Sequence, residues 1–246
     1  MTNSAPARRL LVTGASSGIG AATAAEAASL GWEVIGMDLR GGDDLTASPR
    51  IISCDVSDER SVESAFAELA AIWPEGPDAV VHSAGIYRVT PLLDTPAEDW
   101  DRTISVNGRG SFLIAREAAR LMRDGTRDRS IVLLSSIGAV RGDAHEPSAS
   151  YSASKGAVSS LTRQLAAELG LVGIRVNAVA PGVIDTAMTT LMNTPEVADA
   201  FFATRVPARR PGTAAEVAQA CLFLASDRST YISGAIIPVD GGQSVL

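Results

Sequence analysis

Short, β-leaning apolar runs recur along the chain at 10–12, 32–37, 51–54, 79–83, 131–135, 175–179 and 235–239. Each has the length of a strand. Longer stretches of helical character lie between them, at 20–30, 58–73, 96–124, 149–170 and 213–225. Two of these begin with Thr-x-x-Glu, Thr95 to Glu98 with Pro96 at the first helical position and Thr213 to Glu216, which predicts reciprocal capping of both helix starts. The alternation predicts an α/β fold, a doubly wound parallel sheet with helices on both faces. At 246 residues it is expected to be one domain, residues 1–246. Such sheets bind ligands beyond the carboxyl ends of their strands, so the residues following each strand are the candidates for function.

The first strand runs into Thr13-Gly14-Ala15-Ser16-Ser17-Gly18-Ile19-Gly20. Glycines allow a hard turn and a close backbone approach, Ser16 and Ser17 are available to a phosphate, and the helix behind the loop points free N–H groups at an anion. The second strand ends in Asp38, about twenty residues further on, where a carboxylate meets the ribose of an adenosine. A ribose 2'-hydroxyl can donate to that carboxylate and a 2'-phosphate would meet like charge, so Asp38 favours NAD over NADP; Arg40 pulls the other way. The third ends in Cys54-Asp55-Val56, where Asp55 either caps the next helix or meets the adenine amino group. The fourth ends in Ser83-Ala84-Gly85, small residues along which a cofactor can lie, and the fifth in Ser135-Ser136.

Composition narrows the classes. With 46% hydrophobic and 20% charged residues the chain is ordinary for a globular protein. No apolar run approaches the roughly 18 residues of a membrane span. The polar start, Met1 to Arg9, lacks the core of a secretion signal, so the cytoplasm is the expected location. A net charge of -7 argues against a nucleic-acid surface. Cys54 and Cys221 read as small core hydrophobes, and with His82 and His145 they are too sparse for a metal site, so none is expected.

Of 21 basic side chains, Lys155 is the only lysine, and it follows Tyr151 by four residues. On a helix that spacing puts both on one face. An alcohol loses hydride only if its hydroxyl proton also leaves, and a phenol of pKa near 10 is a poor acceptor; a cation about 4 Å away would lower it by roughly three units. Upstream, Asn107 stands beside Gly108 within a helical stretch, where a glycine costs up to about 1 kcal/mol, which predicts a kink with a purpose.

The glycine spacing, Asn107, Ser136 and the Tyr151-x-x-x-Lys155 pair, in that order, resemble the short-chain dehydrogenase/reductase family over essentially the whole chain. The resemblance implies a Rossmann-like sheet of about seven strands. It implies Tyr151 as acid/base, Lys155 as its pKa modifier and ribose ligand, Ser136 holding the substrate oxygen, and Asn107 anchoring a water-linked proton path. It lays NAD along Gly14, Ser16, Ser17, Ile19, Asp38, Leu39, Asp55, Val56, Ser83, Ala84, Gly85, Tyr151, Lys155 and Pro181, with Ile184 and Thr186 holding the nicotinamide carboxamide. Ser83 departs from the family's asparagine; it can still donate and accept, but it is shorter than the amide to which the resemblance gives a sheet-bridging role.

The interval from Ser136 to Tyr151 is a residue or two longer than in the family, which marks the loop with His145 and Glu146 as a determinant of specificity. Residues 187–210 lose clear periodicity and carry Met188, Met192, Phe201 and Phe202, which predicts a mobile lid over an apolar substrate pocket. The closing Asp240-Gly241-Gly242 resembles tails that pack between subunits, implying a homotetramer. The expected activity is NAD-dependent interconversion of a small secondary alcohol and a ketone, with no nucleic-acid or membrane partner. Two alternatives stay open: an NADPH-dependent ketone reductase of the 3-oxoacyl-carrier type, and a catalytically silent NAD-sensing protein.

Overall fold

The computed structural model describes residues 7–40, 49–144, 146–189 and 194–246. From the amino end come β1 (Arg9–Thr13), α1 (Gly18–Ser29), β2 (Glu33–Asp38), β3 (Arg50–Ser53), α2 (Glu59–Ile72) and β4 (Ala79–His82). The middle holds α3 (Ala97–Thr103), a π-helical turn (Ile104–Arg109), α4 (Gly110–Met122), β5 (Arg129–Leu134), α5 (Ala149–Gly170) and β6 (Ile174–Pro181). Then follow β7 (Ile184–Asp185), α6 (Pro195–Arg205), β8 (Gly212–Thr213), α7 (Ala214–Ala225) and β9 (Ile236–Val239).

Seven strands form one parallel sheet in the order β3-β2-β1-β4-β5-β6-β9. The expected Rossmann-like architecture is therefore present, with a two-residue ribbon, β7 against β8, added beside it. Alternate side chains divide the core. Leu11, Val80, Ile131 and Val176 pack with Phe66 and Leu69 of α2, Ile114 of α4 and Val158 of α5. Leu10, Val12, Val81 and Val132 pack on the opposite face with Ala24 and Ala27 of α1 and Val217 and Leu224 of α7. Cys54 lies in the first cluster and Cys221 in the second. Burial pushes both thiols up to about 12, as expected of inert core residues.

Polar ties gather at the amino ends of the strands. Asp78 accepts from the Arg9 amide at 2.8 Å and pairs with Arg127 at 2.8 Å; Asp128 pairs with Arg8 at 2.7 Å and Arg175 at 3.2 Å. The carboxyl ends remain open as a cleft.

One of the two expected capping boxes forms. Thr213 Oγ1 accepts from the Glu216 amide at 3.2 Å while the Glu216 carboxylate accepts from the Thr213 amide at 2.8 Å. At the other, α3 starts after Pro96, and the Thr95 hydroxyl donates backwards to the Pro91 carbonyl at 2.9 Å. The short turn Leu92–Asp94 brings that carbonyl within reach and captures the hydroxyl. The stretch 96–124 is likewise not one α-helix, since the π-turn divides it and directs Asn107 inward, where it is 1% exposed.

Helix α2 is capped by Asp58, whose carboxylate accepts from the Ser61 amide at 2.9 Å. Asp58→Ala is expected to cost about 1 kcal/mol, read as a lower urea midpoint at unchanged denaturant slope.

Candidate active site

A cavity of about 1230 Å³ opens at the carboxyl ends of the sheet. Gly14 has φ +66°, and a Cβ on it would stand 2.9 Å from the Ala84 backbone, so only glycine lets the loop lie against the end of β4. A Cβ on Gly20 would run into the Gly14 carbonyl. Helix α1 starts behind this turn with Ser17 extended, no side-chain cap and no acidic residue in its first turn. Its first N–H groups are left for an anion.

Asp38 is held beside the loop, one carboxylate oxygen accepting from the Ser16 amide at 3.1 Å and the other from the Arg40 amide at 3.3 Å. Leu39 and Arg40 line the same cavity. Asp55 does not cap α2, a role Asp58 takes; its Oδ1 accepts from the Ser57 amide at 2.9 Å and hydroxyl at 2.7 Å, beside Val56 on the cavity wall. The other expected cofactor residues also line this cavity: Ser16, Ser17, Ile19, Ser83, Ala84, Gly85, Pro181, Ile184 and Thr186. A glycine turn, an uncapped helix start and a fixed carboxylate in one cavity fit a dinucleotide.

Next to Ser83, Thr13 ties β1 to the end of β4. Its Oγ1 lies 2.7 Å from His82 Nδ1 and accepts from the Ala84 amide at 3.3 Å, joining β1 to β4. Thr13 and His82 are register partners, a pairing visible only once the strands are aligned. His82 Nε2 is buried without a partner, and burial, with the Lys155 charge adding to it, lowers the imidazole to about 3.

Asn107 does not face the cavity. It sits behind the wall, Oδ1 accepting from the Ile86 amide at 2.8 Å and Nδ2 donating to the Ile86 carbonyl at 2.9 Å and Ser154 Oγ at 3.0 Å. It thereby clamps the segment after β4 onto α5. Ser136 follows β5, accepts from the Gly138 amide at 3.1 Å and lies with the Tyr151 ring against the open side of Gly138. Lys155, one turn along α5, donates to the Leu134 carbonyl at 2.6 Å, and Ser135 donates to the Lys155 carbonyl at 3.1 Å. Ser136, Tyr151 and Lys155 line one cavity.

The electrostatics correct one expectation. Lys155 does not draw the phenol toward neutrality here: burial raises Tyr151 above its ordinary value, and the neighbouring Ser136 hydroxyl opposes it without reversing it. The ammonium lies 5.6 Å from the Tyr151 ring centroid and is committed to Leu134, while burial lowers its own pKa to about 8. Desolvation outweighs attraction.

The cavity wall that Tyr151 shares is more polar than expected. Ile86, Val183 and Met188 line it, together with Arg141, Glu146 and Gln243. Tyr87 packs edge-on against Tyr151, ring centroids 4.7 Å apart. Helix α6, inside the expected lid, buries Ala198 and Phe202 with Val206 in a small cluster of its own and reaches Asp143 through Arg205 at 2.7 Å. His145 and Met192 lie outside the described residues. In the closing segment Asp240 accepts from the Gly242 amide at 2.9 Å and the Ser244 amide at 2.8 Å, a turn that sets Gln243 in the cavity. No spacing motif marks Tyr87, Arg141 or Gln243, which come together only through the fold. Among the described residues no group of three acidic, histidine or cysteine side chains could hold a metal, and no helix is long and apolar enough to cross a membrane.

Comparison with known proteins matches residues 14–244 to the family model described as Enoyl-(Acyl carrier protein) reductase. The chain is 36% identical over 241 residues to the 3-oxoacyl-[acyl-carrier-protein] reductase MabA of Mycobacterium avium, covering 97% of this chain and 90% of that one. It is 39% identical over 244 residues to galactitol 2-dehydrogenase (L-tagatose-forming) of Cereibacter sphaeroides, covering 95% and 94%. The solved structure of Thermoplasma acidophilum aldohexose dehydrogenase superposes with a TM-score of 0.88 at 29% identity, covering 98% and 95%.

The neutral His82 gives a pH prediction. Its folded pKa, about 3, lies below the ordinary 6.5, so the unfolded chain binds the proton first as pH falls. The contribution of His82 is complete above about 6.5 and erodes toward 3. The imidazole proton resonances of His82 should therefore stay flat from about pH 8 to pH 4; a midpoint near 6.5 would contradict the assignment.

Proposed function

Because the chain belongs to the short-chain dehydrogenase/reductase family, NAD(P)-dependent oxidoreductases of alcohols and ketones, we propose that Tyr151, Ser136, Lys155 and Asn107 interconvert a secondary alcohol and its ketone. The observation that carries this is the meeting of Ser136, Tyr151 and Lys155 in the cavity that also holds the glycine turn and Asp38. A nicotinamide dinucleotide bound there supplies the hydride donor or acceptor. Tyr151 gives its proton to the substrate oxygen in reduction and takes it back in oxidation. Ser136 is oriented by the Gly138 amide, which leaves its hydroxyl proton to hold the same oxygen. Lys155 spends one of three donors on Leu134, leaving two for ribose hydroxyls. Asn107 acts on the proton path by fixing the Ile86 backbone against α5.

Asp38 supports NAD(H) as the coenzyme, since both its oxygens are held at the end of β2 by backbone amides, ready to accept from ribose hydroxyls. A second reading, an NADPH-dependent reductase of 3-oxoacyl-carrier substrates, is supported by the MabA relative, the family description and Arg40 on the cavity wall. In either case the proposal is a single domain working in the cytoplasm as a homotetramer, with residues 187–210 as its lid.

Tyr151→Phe should lower kcat by about 10²–10⁴-fold while the dinucleotide Kd, measured by fluorescence titration, stays near that of the unaltered protein; retained turnover would remove Tyr151 from the reaction. The two coenzyme readings separate in KM. A value for NAD at least about tenfold below that for NADP is expected from the placement of Asp38, and the reverse order would favour the second reading.

A further inference from the structure

The cavity that Tyr151 lines also presents three polar groups of different hydrogen-bonding character. Glu146 lines it half-buried, and among the described residues its carboxylate accepts no hydrogen bond. Burial and the neighbouring Asp143 hold that carboxyl above its ordinary range; Arg205, the nearby cation, is already committed to Asp143 at 3.0 and 2.7 Å. Gln243 is 5% exposed, and its Oε1 is buried without a partner beside Gly182, whose missing Cβ makes room for it. Arg141 crosses from the Ser136–Tyr151 loop to the Gln243 carbonyl and meets no carboxylate among the described residues.

We propose that the substrate is a neutral polyhydroxy compound, a polyol or its hydroxyketone, whose hydroxyls flanking the reacting carbon are read by Glu146, Gln243 and Arg141. The inference rests on the reading of Tyr151 as acid/base and adds the substrate class. It follows from what each class of ligand would leave unsatisfied. An alkyl or acyl chain strips water from a carboxylate, an amide and a guanidinium and returns no hydrogen bond to any of them. A simple acid would serve Arg141 but set like charge against Glu146. A hydroxyl both donates and accepts, so adjacent hydroxyls can donate to Glu146 and to the Gln243 oxygen while accepting from Arg141. Sites built to bond a hydroxyl reject analogues lacking it far more strongly than apolar pockets reject a misfit. Tyr87 packs edge-on against Tyr151 and lines the same cavity.

The test compares galactitol, xylitol and cyclohexane-1,2-diol with cyclohexanol, 4-hydroxycyclohexanecarboxylate and a 3-hydroxybutyryl thioester. The best polyol should exceed each of the other three in kcat/KM by at least about tenfold, and Glu146→Gln and Gln243→Ala should each lower the polyol-to-cyclohexanol ratio by about tenfold or more. Thermal melts confirm that both variants fold. Cyclohexanol, the acid or the thioester matching the best polyol, or a ratio that neither variant moves, would overturn the inference. Calorimetric Kd values on the Tyr151→Phe protein with dinucleotide present read the same wall without chemistry. Tighter binding of the polyol than of cyclohexanol, lost in Glu146→Gln, supports the assignment even where the Tyr151 mechanism fails; equal binding overturns it even where that mechanism stands.

Discussion

The geometry of the cleft rests on a buried ammonium. Lys155 is 6% exposed, and its charge is met by the Leu134 carbonyl at 2.6 Å, at the last residue of β5. The Ser135 hydroxyl closes the same junction from the other side by donating to the Lys155 carbonyl. These two bonds dock α5 against the end of β5, and the docking brings Ser136, two residues past the strand, to Tyr151, one turn up the helix. A cation in so poor a solvent keeps its charge only at a cost, which is why its pKa falls to about 8. An arginine in its place would present a planar fork that no single carbonyl could satisfy.

Two further polar contacts carry the same junction outward. Asn107, turned inward by the π-helical insertion, joins the segment after β4 to α5, and Thr13 joins β4 to β1 through His82. The glycine turn is thereby held against Ala84, in register with the α5 cluster. At the other end of the strands, arginine–carboxylate pairs on Asp78 and Asp128 supply ties that no ligand has to share. The division is physical: parallel strands with helices on both faces leave one rim to be fastened and the other to be opened.

Much of this was legible along the chain. The alternation of apolar runs and helical stretches gave the layers, and the residues after successive strands gave the cleft, because a strand end and its ligand are neighbours in sequence as well as in space. Glycines at 14 and 20 and the four-residue interval from Tyr151 to Lys155 needed no tertiary knowledge, since turn and helix geometry act locally. Thr95 shows the limit, its hydroxyl being captured by a carbonyl that only a preceding turn brings near. Thr13 and His82 show it again, a contact between residues 69 apart that register alone creates.

The sequence by itself determined the layered fold, the position of the dinucleotide cleft and the face shared by Tyr151 and Lys155, because each follows from periodicity or from a turn of a few residues. Tertiary structure alone decided the burial that raises the phenol above its ordinary pKa, the inward turn of Asn107 and the polar groups Arg141, Glu146 and Gln243 on the cavity wall. Those depend on how much water each group loses and on which distant groups replace it. Burial and partners separated by about a hundred residues, such as Arg141 and Gln243, are settled only when the chain has closed on itself.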